Sequence, residues 1–246
     1  MNWNGIISLL LACIEFILLV NVLIFTKAEK SRNIAVVMIA LLAGYQFLEF
    51  LMCQVELQKP FFPFLAFLDI SFLPPLNLLL ILTPPFARAS GGRLKPNLNR
   101  SWIRKIIFLP ALFFLVYYLF IIPEFQETSC TVLYATYHYP LGDIFGVFYY
   151  LPILISIGLL ILFIKKERDK KNILTGKVLL FGAIIISLPV LIAFSLMFAG
   201  SYALISAIES IMCKFAFVYA VCLSFVCIYN SKKEYGRNNS KHLLSN

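Results

Sequence analysis

Seven apolar segments, each long enough to cross a bilayer, limit this chain more than any other feature. They occupy residues 5–26, 34–55, 61–83, 103–122, 141–164, 177–199 and 202–229. A spanning helix needs about 20 apolar residues, because the hydrocarbon layer is about 30 Å thick and a helix rises about 1.5 Å per residue. With 61% of its 246 residues hydrophobic and 13% charged, the chain carries more apolar surface than one water-soluble core can hide. Backbone polar groups in lipid must bond internally. The expected fold is therefore all-α: a polytopic seven-transmembrane-helix bundle over residues 1–230, then a short basic tail at 231–246. Only Gln54, Glu56, Gln58, Lys59 and Pro60 part the second and third segments, and only Gly200 and Ser201 the sixth and seventh. Both links read as tight hairpins. No positive charge precedes the first segment and no small-residue cleavage site follows it, so it is expected to remain a helix rather than act as a signal peptide.

All of the 21 Lys and Arg except Lys59 and Lys214 lie in or beside the first, third and fifth loops or in the tail. The even-numbered loops are not basic, which is the asymmetry of an outside N-terminus and an inside C-terminus in a multi-pass cell-membrane protein. In a soluble protein the net charge of +9 would suggest nucleic acid. Here it orients the chain and faces anionic headgroups, so membrane lipids and not nucleic acid are the expected contacts.

Glu15, Glu49, Asp69, Glu209 and Lys214 fall inside the segments. Each ionisable group at mid-span costs about 2.5 to 3.5 kcal/mol on insertion scales, so these groups are expected to face one another. Glu15 and Lys214 are each mid-segment, on the first and last helices, which become neighbours in a closed ring. They are the expected ion pair, with Asp69 the other candidate partner of Lys214. Glu49, Asp69 and Glu209 each lie roughly 10 to 12 Å below the outer boundary and are expected to form one acidic layer in a cup open outward. Tyr45, Gln46, Glu49 and Cys53 make one polar stripe, and Ser210 shares a helix face with Lys214. Four carboxylates and one ammonium cannot all stay ionised in a low dielectric, so the cluster suits a proton, a cation or an amine.

Cys53 and Cys130 both map to the outer side, so a disulfide pinning the fourth loop is open to them. Cys13, Cys213, Cys222 and Cys227 lie inside segments and read as packing residues. The fourth loop, Pro123 to Pro140, contains Glu124, Glu127, Tyr134, Tyr137, His138 and Tyr139 and no Lys or Arg. It reads as an interfacial belt or a cap over the cup. Pro74-Pro75 is expected to kink the third helix, and Pro110, Pro152 and Pro189 to interrupt three more.

Only His138 and His242 are present, too few for a multi-His zinc centre. GxSxG, HExxH and Walker patterns are all missing, leaving nucleophilic catalysis and ATP use without sequence support. A mid-span lysine in a seventh helix is shared with the retinal-binding microbial rhodopsins. However, Trp3 and Trp102 lie away from span centres, and Ser210 stands where an acid would precede the lysine. No metal and no cofactor is expected.

The seven-helix layout with Glu49 late in the second helix, and the segment Asp69-Ile70-Ser71-Phe72-Leu73-Pro74-Pro75-Leu76 in the third, resembles the seven-helix sensor region found ahead of bacterial histidine kinases. The resemblance spans residues 5 to 229 and implies an outside-facing sensor. About 17 polar residues follow the last helix and include no kinase, so such a sensor would act through a cytoplasmic partner protein. The leading expectation is a non-enzymatic, receptor-like protein binding an unknown small ligand, cation or proton at Glu15, Gln46, Glu49, Asp69, Glu209, Ser210 and Lys214. A proton- or cation-coupled transporter built on the same carboxylates and an intramembrane lipid-modifying enzyme with paired carboxylates are the alternatives.

Overall fold

Apolar helices packed side by side, with apolar side chains exposed on the outside and a few polar groups buried among apolar ones, make up the described residues. The computed structural model describes residues 5–55, 60–83, 101–124, 126–133, 135–138, 140–198 and 208–243. Among them are α1 (Ile6–Phe25), α2 (Lys30–Val55), α3 (Phe61–Ser71), α4 (Leu73–Ile81), α5 (Ser101–Leu119), α6 (Gly142–Lys166), α7 (Lys170–Phe198) and α8 (Ile208–Leu243). A hairpin of two short strands, β1 (Gln126–Cys130) and β2 (Ala135–His138), joins α5 to α6.

The all-helical expectation holds for the bundle. Six stretches are long and apolar enough to cross a membrane: Ile6–Phe25, Lys30–Gln54, Phe61–Ile81, Ile144–Lys166, Lys170–Ala193 and Ser210–Ser231. The segment expected at 103–122 is shorter, its apolar helix running Lys105–Leu119. It stops there because Pro123 follows within a 3₁₀ turn, Ile122–Glu124, that leads into the hairpin. The connections at 56–59, 84–100 and 199–207 lie outside the described residues.

α1 shows why these helices belong in lipid. Its buried residues are Ser8, Ala12, Glu15 and Val22, a single face by helical spacing. Leu10, Phe16, Ile17 and Ile24 are all more than half exposed. A helix that buries its serine and glutamate and exposes its leucines and phenylalanines is inverted relative to a soluble one. α1 packs against both α2 and α8, which closes the ring; α2 also meets α3, α4 and α8, while α4 packs on α6, α6 on α7 and α7 on α8. Three cores form among the described residues. One runs through Val22, Met38, Leu42, Leu179 and Leu223, a second is aromatic, with Phe64, Phe67, Phe114, Tyr118 and Phe145, and a third joins Tyr150, Ile153, Val190 and Met212. In the aromatic core Phe67 lies 4.7 Å from Tyr118, edge to face, a favoured ring geometry.

The prolines act differently from one another. The third span breaks at Phe72, and Pro74 and Pro75 open α4, where a missing N–H costs nothing. Pro110, Pro152 and Pro189, expected to interrupt their helices, instead sit inside continuous α5, α6 and α7. A single lost hydrogen bond is tolerated in a membrane helix whose neighbours hold it.

Among the described residues the hairpin supplies the strands. Gln126 pairs with His138, Glu127 with Tyr137, Ser129 with Thr136 and Cys130 with Ala135, with a bulge between Glu127 and Ser129. Thr128, Thr136 and Tyr137 lie in these strands, residue types that fit a pleated strand.

Candidate functional site

An isolated two-stranded hairpin is marginal in water, and this one is fastened to the bundle at four points. A Cys53–Cys130 disulfide ties it to α2. The Gly5 N–H donates to the Thr131 carbonyl at 3.0 Å, tying it to the start of α1. The Ala135 N–H donates to Ser210 Oγ at 3.1 Å, tying it to α8. The Tyr118 hydroxyl of α5 donates to the Pro140 carbonyl just beyond it at 2.7 Å. Gly5 has φ +72, and a Cβ there would fall 3.0 Å from Cys53 Cβ, so only glycine lets α1 begin this close to the disulfide.

Ser210 carries the hairpin contact inward. Its hydroxyl donates to Glu49 Oε2 at 2.8 Å. Glu49 Oε1 accepts from Ser8 Oγ at 2.9 Å and from Lys214 Nζ at 2.6 Å. The Lys214 ammonium also donates to Gln46 Oε1 at 2.8 Å and to Ser8 Oγ at 3.0 Å, using all three of its protons. Gln46 Nε2 donates in turn to the Cys213 carbonyl at 2.9 Å. Ser8, Gln46, Glu49 and Ser210 are fully buried. Three helices and the hairpin thus share one saturated network around a charge-assisted pair, whose members are far stronger together than alone.

This arrangement corrects the expected ion pair: Lys214 is bound to Glu49 and not to Glu15 or Asp69. Helical side chains lean toward their own N-terminus. α8 begins at the hairpin end and α2 finishes there, so Lys214 leans toward the hairpin while Glu49 leans away from it, and the two meet at the level of Ser8. Glu15 lies seven residues further along α1, about 10 Å deeper. It is fully buried, and neither of its oxygens has a hydrogen-bond partner among the described residues.

Asp69 does not join an acidic layer with Glu49. Its half-buried carboxyl lies against Gly44, where a Cβ would fall 2.9 Å from Asp69 Oδ2. Gly44 is five residues from Glu49, about 140° around α2 and about 7 Å deeper. Glu209 sits in α8 beside Ser210, but its side chain lies outside the described ones. Where the sequence suggests a cup, the hairpin lies against Ser210 through the Ala135 N–H. Among the described carboxyls Glu15, Glu49 and Asp69 occupy three separate places.

Several contributors were not singled out from the sequence. Ser8 is one; its only signal is that it lies seven residues before Glu15 on the same face of α1. Tyr219 and Asn77 are others: the buried Tyr219 hydroxyl donates to Asn77 Oδ1, and Gly182 of α7 makes room, since a Cβ there would fall 2.6 Å from the Tyr219 ring. At the end away from the hairpin, a small cleft is lined by Lys27, Arg32, Leu80, Leu179, Val226 and Ser231, among others.

No protein-family model matches the chain, and no curated protein matches its sequence.

Proposed function

We propose that this is a receptor-like membrane protein of seven spans, with α5 as the fourth. Its N-terminus and hairpin are outside and its C-terminus inside, and the hairpin senses an outer ligand, cation or proton. The observation that carries this reading is the unbroken chain from the hairpin backbone at Ala135 through Ser210 to the Glu49–Lys214 pair. A ligand that lifts the hairpin removes a donor from Ser210 and weakens its grip on Glu49, shifting the packing of α1, α2 and α8. The resemblance to histidine-kinase sensor regions points the same way, and the basic far end, with its cleft between α4, α7 and α8, suits a cytoplasmic partner.

Hydrogen exchange of the full chain in lipid nanodiscs tests the reading. Ser8 and Thr26 are about 27 Å apart along α1. Reducing Cys53–Cys130 should speed exchange both at the hairpin and at the α1–α2 turn, residues 26–29. Faster exchange confined to the hairpin end would make the hairpin a passive cover and end the receptor reading.

One observation favours the transporter as a second reading: the buried, unpartnered Glu15 below an already paired lysine. Proton or sodium flux in proteoliposomes separates the two. Flux abolished by Glu49→Gln would establish transport, and a folded protein without flux leaves the receptor reading in place.

A further inference from the structure

Glu15 is the polar group that the hairpin network leaves out. The register of the surrounding helices follows from contacts at both ends of α1. Ser8 meets Glu49 and Thr26 meets Arg32, so α2 runs antiparallel and brings Leu42 level with Glu15. Ser8 meets Lys214 and Lys27 meets Ser231, so α8 runs parallel and brings Ala220 level with it. Leu42 and Ala220 are apolar and fully buried. The titratable groups nearest that level on α8, Tyr219 and Cys222, are turned to Gly182 on α7. On α2, Tyr45 and Glu49 lie toward the hairpin, and Arg32 lies at the far end, bonded to Thr26 and to the Leu23 carbonyl. Lys214 is the charged group whose field reaches Glu15.

Among the described residues no donor bonds either oxygen of Glu15, and an ionised carboxylate left without a partner at this depth is costly. The Lys214 Cα stands about six residues, roughly 9 Å, above Glu15 along the bundle, and its flexible four-carbon stem spans most of that gap when turned inward. The ammonium therefore has one carboxyl on its hairpin side and another beneath it.

We propose that Glu15 is a proton-binding site and the second station of Lys214. In the latched state, with the Glu49–Lys214 network holding the hairpin through Ser210, Glu15 holds a proton while Glu49 holds the ammonium. In the exchange, an Nζ–H bond breaks and a proton passes to Glu49, leaving a neutral amine and a neutral acid. The amine turns inward and takes the Glu15 proton, leaving a Glu15 carboxylate paired with a Lys214 ammonium. Protons and charge balance, and the three groups keep their net charge throughout. Glu49, now neutral, accepts the Ser210 hydrogen bond more weakly than the carboxylate did, and the hold on the hairpin loosens.

The inference rests on the latch reading of the site and fails separately from it, since hydrogen exchange at the far end tests the latch without reference to Glu15. Its own test is the infrared carbonyl absorption of protonated carboxyl groups, measured on the full chain in lipid nanodiscs. Glu15→Gln should remove one carboxyl's absorption from the wild-type spectrum. Glu49→Gln should remove the same component, because Lys214 then ionises Glu15 to pair with it. An unchanged spectrum in Glu15→Gln would overturn the proton site, and a Glu15 component that survives in Glu49→Gln would overturn the second station. If Glu15→Gln does not fold, Glu15→Asp with carboxyl-¹³C aspartate keeps the test open: a protonated carbonyl component that shifts with the label and is missing from labelled wild type supports the site, and its absence overturns it.

Discussion

The two ends of the bundle hold their polar groups in opposite ways. At the hairpin end the bonds run between elements remote in sequence: Lys214 to Glu49, Ser210 to Glu49, Ala135 to Ser210, and Cys53 to Cys130. At the far end the Arg32 bonds run to Thr26, Leu23 and its neighbour Asn33, and among the described residues a 3.4 Å contact from the Lys27 N–H to Ser231 Oγ ties the α1–α2 turn to α8. A cleft opens there, while at the hairpin end the Ala135 N–H reaches the buried Ser210. Long-range bonds make several helices move together, and short-range bonds leave each helix end to adjust alone. A signal entering at the stiff end would therefore arrive as a change in packing at the looser one.

The sharpest way to break the contrast is to remove one member of the buried pair. Lys214→Met leaves the Glu49 carboxylate buried without its cation and should cost about 3 to 5 kcal/mol. Glu49→Leu alone should cost a similar amount, and the double variant much less, because an apolar pair replaces the charges. Thermal denaturation in nanodiscs reads all three. Additive losses in the double variant would show that the two charges do not act as a unit. Next in size is Cys130→Ser, which opens a loop closed across 77 residues and should cost about 2 to 4 kcal/mol. Its signature should be faster exchange of the Ala135 N–H, since the hairpin then hangs on hydrogen bonds alone.

How much of this is legible in the sequence depends on the length of the pattern. The apolar segments extend over some twenty residues each, and their helices stand almost where hydropathy puts them. The stripe Gln46, Glu49, Cys53 is legible too, because 3.6-residue periodicity places these residues on one face and cost forces that face inward. The partner of Lys214 is not, because it depends on which way two side chains lean and on a few ångströms of reach, neither of which periodicity carries. Ring closure correctly places α1 beside α8, yet the ammonium skips Glu15 for Glu49 on a third helix. The hairpin escapes notice for a different reason: its strands, Gln126–Cys130 and Ala135–His138, are too short and too polar to show a period, and they depend on tethers supplied by α1, α2 and α8.

Ser210→Ala sharpens the comparison at single-bond scale. It deletes the hydroxyl between Ala135 and Glu49 while leaving the ion pair and the disulfide in place. The loss in stability should be about 1 kcal/mol, the usual scale for one interhelical hydrogen bond in a membrane. The hairpin amide should nevertheless exchange markedly faster, because its acceptor is gone. A stability loss with no change in Ala135 exchange would mean that Ser210 serves the bundle and not the hairpin.

The smallest effect belongs at the far end. Arg32 donates through Nε to Thr26 Oγ1 at 3.2 Å and through Nη2 to the Leu23 carbonyl at 3.1 Å, bridging the last turn of α1 to the first turn of α2. Arg32→Lys keeps the charge but loses the fork that reaches both acceptors. The Leu23 carbonyl and the Thr26 hydroxyl sit at a helix end near water, which replaces the lost donors, so the cost should be under about 0.5 kcal/mol. Exchange of the Ala135 N–H should not change. A loss of several kcal/mol, or a hairpin amide that responds to this substitution, would show that the far end is as tightly held as the latch, and the difference between the two ends would vanish with it.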